Sequence, residues 1–366
     1  MKTPTFTITN LISDYLIRYE VSLERIKSTP LPHTHREELE GDLLTDDIYN
    51  LSELIGDRIA LHQAEQVQEG KVMPSARKRL IIFTNYRSAM EFVKSYNQNQ
   101  FIPPSSELLS HINKLIINKV IEEWEAGKMR TFSDKPNEIY DTWYKYRDFY
   151  PDKNMSAYFD EFFRWMQDRS NKTHKLIQLA VLLFELIDKA PLYGGNQITS
   201  IATVAAIAKD AGYNPEGMLS YSKAINFIAE DLMSAFKMSR SKRDQTIFIE
   251  AFLYAVSLEM LNLEHKYTDT FQNKIKKQGK LKEKFNTRQI KILEYLENVG
   301  KITRQEYTKM MRVSFMTSYR DLQELIKEGF IKSGGVGRGT YYSLKRSAKN
   351  AEDKAEQRLE VFGTES

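Results

Sequence analysis

Apolar positions recur at helical spacing through most of the chain up to about residue 265, and give way to alternation only near the C-terminus. The pattern predicts helices over 46–68, with Thr45 as cap and Gly70 beyond it, and over 79–96. A further helix is predicted over 107–126, capped by Ser106 and ended by Gly127. Others follow over 156–167, 174–188, 198–210, 220–236 and 244–261. Breaks fall at Ser28-Thr29-Pro30-Leu31-Pro32 and at Phe101-Ile102-Pro103-Pro104. Residues 128–155 are aromatic with few helix signals, which predicts a loop or short hairpin. The most apolar run, Leu176 to Ile187, is too short to span a bilayer and contains Gln178 and Glu185. It predicts a buried central helix and no membrane association.

Beyond residue 285 the pattern is more specific. Thr287 is placed to cap a helix with apolar Ile290, Leu293, Leu296 and Val299, and Gly300 ends it. Thr303-Arg304-Gln305-Glu306 is a capping box that opens a short second helix. Ser314 caps a third helix, and Gly329 closes it. Ile331-Lys332-Ser333 and Thr340-Tyr341-Tyr342-Ser343-Leu344 read as two strands joined by the glycine-rich segment 334–339. Three helices and a hairpin, in that order, make a winged helix-turn-helix. In the third helix Phe315, Tyr319, Leu322 and Ile326 form the stripe expected to pack inward. Ser314, Thr317, Ser318 and Arg320 are then the expected DNA contacts, because a recognition helix offers its N-terminal residues to the major groove. Arg338 on the wing is the expected contact to a neighbouring phosphate or the minor groove. Asp321, Glu324 and Glu328, read as outward-facing, favour the alternative of a winged helix used for protein contact.

Charge tilts this choice toward DNA. The formal net charge is only +4, yet residues 272–346 hold 18 Lys/Arg against 7 Asp/Glu, while the remainder is net acidic. That end of the chain is adapted to a polyanion. A length of 366 residues favours more than one domain. The reading divides it into an N-terminal helical region (1–100), a helical domain (101–268), a basic linker (269–285), the winged helix-turn-helix (286–346) and a polar tail (347–366). The chain has no cysteine, so cysteine-ligated metals and disulfides are excluded. The start, Met1-Lys2-Thr3-Pro4, has no basic stretch leading into an apolar core, and a cytoplasmic location is expected.

The C-terminal segment resembles the winged helix carried by many bacterial Fic proteins. The match runs through Val313-Ser314, Ser318-Tyr319-Arg320-Asp321-Leu322, Leu325, Gly329 and Gly337-Arg338-Gly339-Thr340-Tyr341-Tyr342. The Fic motif reads His-Pro-Phe-x-Asp/Glu-Gly-Asn-Gly-Arg-x-x-Arg. The matching stretch, without a gap, is Ala190-Pro191-Leu192-Tyr193-Gly194-Gly195-Asn196-Gln197-Ile198-Thr199-Ser200-Ile201. Pro191, Gly195 and Asn196 agree. The resemblance implies a mainly α chain in which a Fic-like helical domain precedes the winged helix-turn-helix.

In active members of that family the motif histidine is the base that lets a protein hydroxyl attack the α-phosphate of ATP. The motif acid holds magnesium, and the two arginines hold the nucleotide phosphates. Carried over residue by residue, the histidine is Ala190, the acid is Gly194, and the arginines are Ile198 and Ile201. Alanine cannot accept a proton. Glycine offers magnesium no side chain, and isoleucine cannot pair with phosphate. The expectation is a non-catalytic protein with no cofactor.

Gly195 and Asn196 still lead into a helix start, with Thr199 and Ser200 beside it. Weak nucleotide or phosphate binding there is the alternative to a plain structural turn. A divergent transferase would have to draw on Asp188, Lys189 or Tyr193, the nearest polar side chains. The family's inhibitory helix aligns weakly with Leu51-Ser52-Glu53-Leu54-Ile55-Gly56, where Ile55 stands at the glutamate position. Gly127-Lys128-Met129-Arg130-Thr131 resembles the start of the family's flap. His33-Thr34-His35 reads as loop rather than a metal site. The sequence therefore points to a DNA-binding regulator with duplex DNA as partner. A protein partner or a second copy of the chain remains open, and a scaffold or a divergent nucleotidyl or phosphoryl transferase stand as alternatives.

Overall fold

The computed structural model describes residues 4–31, 33–72, 74–100, 102–131, 136, 139–146, 154–335 and 340–345. The chain divides into two compact units, Met1–Pro30 with Glu38–Asp269, and Leu31–Glu37 with Thr270–Ser366. The expected boundary near residue 100 is not observed, because 38–269 is one continuous stretch of the first unit. The tail read as 347–366 lies outside the described residues.

The first unit is helical. Its elements are α1 (Asn10–Ser28), α2 (His33–Leu54), α3 (Leu61–Gln68), α4 (Arg77–Ser95), α5 (Ser106–Ile117), α6 (Met155–Gln167), α7 (Lys175–Lys189), α8 (Asn196–Asp210), α9 (Tyr221–Phe227), α10 (Ala229–Lys242) and α11 (Thr246–Lys284), of which the start of α2 and the end of α11 fall among the residues of the second unit. Helices α7 and α8 pack on each other at the centre, and α4 and α5 pack on α8. Eleven of the fifteen residues of α7 are buried, from Leu176 to Ile187, which is the expected central helix.

Several expected helices change at their ends for local reasons. The 46–68 helix is two helices, because Gly56 at φ +77° ends α2 and the chain is extended before α3. Thr45 therefore lies inside α2, its hydroxyl bonded to the Gly41 carbonyl. Helix α5 starts after Ser105, which caps it, and stops at Ile117 rather than 126, with Lys119 in the left-handed region just beyond. The 220–236 helix divides at Ile228. His33 and His35, read as loop, lie in α2, and no metal-ligating cluster occurs among the described residues. The stretch read as a basic linker lies within α11, which is one helix to Lys284. By length and composition Thr246–Gln272 could also cross a bilayer, but 56% of its apolar window is buried inside the molecule.

A fully buried acid ties the first unit together. Asp47 accepts hydrogen bonds from the Tyr86 hydroxyl at 2.7 Å and from Ser220. Burial outweighs these bonds and raises the Asp47 carboxyl above its ordinary range.

The second unit contains α12 (Thr287–Val299), β1 (Ile302–Thr303), α13 (Arg304–Met311), α14 (Phe315–Lys327), β2 (Ile331–Gly334) and β3 (Tyr341–Leu344). Its sheet has the order β1-β3-β2 and is antiparallel, with Ile302 opposite Tyr342 and Ile331 opposite Leu344. The short strand β1 is invisible in the sequence pattern because it has only two residues. Asn286, not Thr287, caps α12, accepting the N–H groups of Arg288 and Gln289. Thr303 with Glu306, and Ser314, cap α13 and α14 as expected. Phe285, Ile292, Leu296, Ile302, Tyr307, Leu322, Leu325, Ile331 and Tyr342 form the core.

Candidate functional site

Two places in the chain were singled out for chemistry, the loop between α7 and α8 and the exposed side of α14. In the loop, α7 ends at Ala190, held at φ 39° and ψ 68°. The Arg130 side chain closes that end. Its Nε donates to the Ala190 carbonyl at 2.6 Å and its Nη2 to the Lys189 carbonyl at 2.6 Å. A buried guanidinium there satisfies carbonyls that a helix end leaves open and complements its negative dipole end. The Arg130 N–H donates to Pro191, the Tyr193 N–H to Lys128, and Met129 bridges Leu192. The flap-like segment is thus paired along the loop.

Asn196 clamps the loop on itself, accepting from the Leu192 N–H and donating to the Leu192 carbonyl, both at 2.9 Å. Asn113 of α5 crosses the start of α8. Its amide donates to the Gly194 carbonyl and the Thr199 hydroxyl, and its carbonyl accepts from the Gly127 N–H. Gln197, where the Fic motif has glycine, bonds the Thr142 N–H at 2.7 Å and the Leu54 carbonyl at 3.2 Å. The residues proposed to hold an anion are therefore engaged inside the protein. The Ser200 hydroxyl donates to the Asn196 carbonyl, and the Thr199 hydroxyl accepts from Asn113. Ile198, Ile201 and Thr199 are fully buried, and Ala190, Pro191, Gly194 and Gly195 are buried with them. The structure brings the whole expected motif together, and packs it as core.

Gly195 shows how tightly. It sits at φ +66° as the cap of α8, and a Cβ there would meet Ile117 Cγ2 at 2.4 Å. Gly195→Ala should destabilise the unit by about 3 kcal/mol, from left-handed strain plus overpacking. Denaturant titration checks this. The Ile117→Ala variant should recover part of the loss in the double mutant, since it removes the clashing methyl.

The polar side chains that a substitute mechanism would need are occupied. Asp188 lies 2.9 Å from Arg240 Nε and is paired with Lys189. Lys189 also sits 5.7 Å from the Tyr158 ring centroid. Tyr193 meets the Trp124 ring edge-on at 5.8 Å, with the Lys128 ammonium over both rings. Glu185, beside this group, accepts from the Tyr158 hydroxyl, and burial raises its carboxyl above the ordinary range. Asn113, Arg130 and Gln197 were missed by pattern reading. The signal available was a lone asparagine on the apolar Leu109–Ile116 face of α5.

On α14 the buried side is Ser318, Asp321, Leu322 and Leu325. Phe315 and Tyr319 were expected inside and are exposed, because Ser318 and Asp321 take the inward positions; Arg304 stacks its guanidinium over the two rings, 3.9 Å and 5.5 Å from their centroids. Ser318, expected at DNA, is buried, its hydroxyl donating to the Phe315 carbonyl and accepting from Thr308. Ser314 and Arg320 are exposed, and Thr317 is half-buried with its hydroxyl against Ser314. Arg338 lies outside the described residues. Asp321, expected outward, is the hub of the unit. It accepts from the Tyr307 hydroxyl at 2.8 Å, Arg288 Nε at 2.9 Å and Asn286 at 3.2 Å. Burial alone would raise this carboxyl, but bonds from Arg288, Tyr307 and Asn286 outweigh it and lower it.

Comparison with solved structures settles the architecture. A Fic family protein from Desulfovibrio desulfuricans G20 superposes with a TM-score of 0.58 at 13% identity, covering 94% of this chain and 99% of that one. The chain has the Fic fold. Fic-1 from C. elegans also superposes, with a TM-score of 0.52 at 13% identity over 72% of each chain. Residues 288–337 match the DeoR-like helix-turn-helix domain family. No curated protein matches the chain by sequence. The helix-turn-helix match covers α12 to β2, and so contains the exposed face of α14.

Proposed function

We propose that this protein is a DNA-binding transcriptional regulator whose Fic-fold unit carries out no adenylyl transfer and needs no cofactor. The single observation that carries the reading is a helix-turn-helix whose helix α14 leaves its cap Ser314 and Arg320 exposed at its N-terminal half, within the most basic part of the chain. Hydroxyl and guanidinium groups there suit phosphate and base-edge contacts. The filled α7–α8 loop supports the second half of the reading, with aliphatic side chains where the motif would need a base and cations. The basic C-terminal module supports duplex DNA as the partner, and a cytoplasmic location is part of this proposal. The Fic-fold unit then serves to bind a protein partner or a second copy.

Selection from random duplexes by the purified chain should enrich a common sequence. The Arg320→Ala variant should bind that duplex about tenfold more weakly and lose preference at one base position, since a bidentate arginine contact discriminates by about 1–3 kcal/mol. Anisotropy titration reads both. Transfer of label from α-labelled ATP to any lysate protein would contradict the non-catalytic half.

A further inference from the structure

The outer stripe of α14 is not the polar one that the sequence suggested. Opposite the buried Ser318, Asp321, Leu322 and Leu325, helical spacing places Met316, Arg320, Gln323 and Lys327. All four are exposed. Met316 is 61% exposed and Phe315 55%, so the first turn of the candidate recognition helix presents two large apolar side chains to solvent. They differ in one respect. Phe315 is covered on one face by the Arg304 guanidinium, while among the described residues Met316 has no ring or cation stacked on it.

From this arrangement we infer that Met316 reads a thymine methyl group in the major groove, with Arg320 one turn further on taking the adjacent guanine. The argument rests on the DNA-binding reading above and asks what its exposed first turn can recognise. The major groove edge offers hydrogen-bonding groups at every base pair but one apolar feature, the thymine C5-methyl. A flexible thioether side chain at a recognition helix start has no other apolar partner there. Residues 316 and 320 are one helical turn apart on the same side, a spacing that lets them reach neighbouring base pairs. The stripe of Met316, Arg320, Gln323 and Lys327 also holds no carboxylate, which removes repulsion from the phosphates. Arg304, stacked over Phe315 and Tyr319, supplies a cation beside the helix start.

The test uses the full chain and the duplex it selects. Each thymine is replaced singly by deoxyuridine, which removes only the methyl group. At one position or more the wild type should bind about fourfold more weakly, the scale of one buried methyl. The Met316→Ala variant, whose fold circular dichroism should show unchanged because the side chain is exposed, should bind the thymine duplex about fourfold more weakly and become indifferent to that replacement. Arg320→Ala should remain sensitive to it. Binding that is unchanged by every deoxyuridine, or a Met316→Ala protein as sensitive as wild type, overturns the inference while leaving DNA binding standing. Failure to bind any duplex overturns both.

Discussion

Ile201→Arg, which places an arginine where the resemblance to the Fic motif would have one, is expected to unfold the Fic-fold unit instead of creating a phosphate site. Ile201 is fully buried in α8, the helix on which α4, α5 and α7 pack. A guanidinium there would lose its water, and no carboxylate is among the partners of the loop described above. The expected loss exceeds about 4 kcal/mol, at the top of the range for single substitutions and a large share of a domain's stability. Ile198→Arg should behave alike, since Ile198 is equally buried. Solubility on expression and denaturant melts read the effect. A stable Ile198→Arg/Ile201→Arg protein that binds ATP would show that the loop has kept an open phosphate pocket.

The second large effect is expected at Asp321. Asp321→Asn keeps the shape but removes the charge that accepts from Tyr307, Arg288 and Asn286. Tyr307 is fully buried and would be left facing an amide, whereas Arg288 is partly exposed and can turn to water. The cost should be about 3 kcal/mol, set by hydrogen bonds to a charged group. Loss of duplex binding should track unfolding of this unit.

The same carboxyl gives a pH signature. Its folded value is lowered, so its stabilisation is present above the ordinary aspartate value of about 3.9 and is lost as pH falls toward the folded value. Asp47 and Glu185 run the other way. Their folded values are raised, so they cost least below the ordinary carboxylate range and cost more as pH rises through the folded values. Acidification through the raised folded values of Asp47 and Glu185 should therefore stabilise the first unit, and acidification through the lowered folded value of Asp321 should weaken the second. Calorimetry at three pH values, with Asp321→Asn as the acid-insensitive control for the second unit, checks the sign.

The C-terminal unit was legible because punctuation fixed it. Thr303 with Glu306, Ser314 and Gly329 mark ends that any packing must respect, and all fall where expected. Its face assignment was not legible. Polarity puts Phe315 and Tyr319 inside α14, yet Asp321 and Ser318 take those places because buried partners satisfy them. A hydrogen-bond network that joins α12, α13 and α14 has no signature in one helix's periodicity. Likewise the α7–α8 loop was singled out by its resemblance to the Fic motif, while its filling was not legible. Whether Thr199 faces an anion or the protein depends on Asn113, which is 86 residues away. The break in 46–68 was missed because apolar spacing continues through Gly56, and only its positive φ ends the helix.

The most direct test of DNA binding by the basic unit is the dissociation constant of the full chain for its selected duplex, measured from about 50 to 200 mM salt. The account predicts a linear log–log dependence with a loss of affinity of about a hundredfold, the slope of roughly four released counterions. A flat line across that range would contradict it.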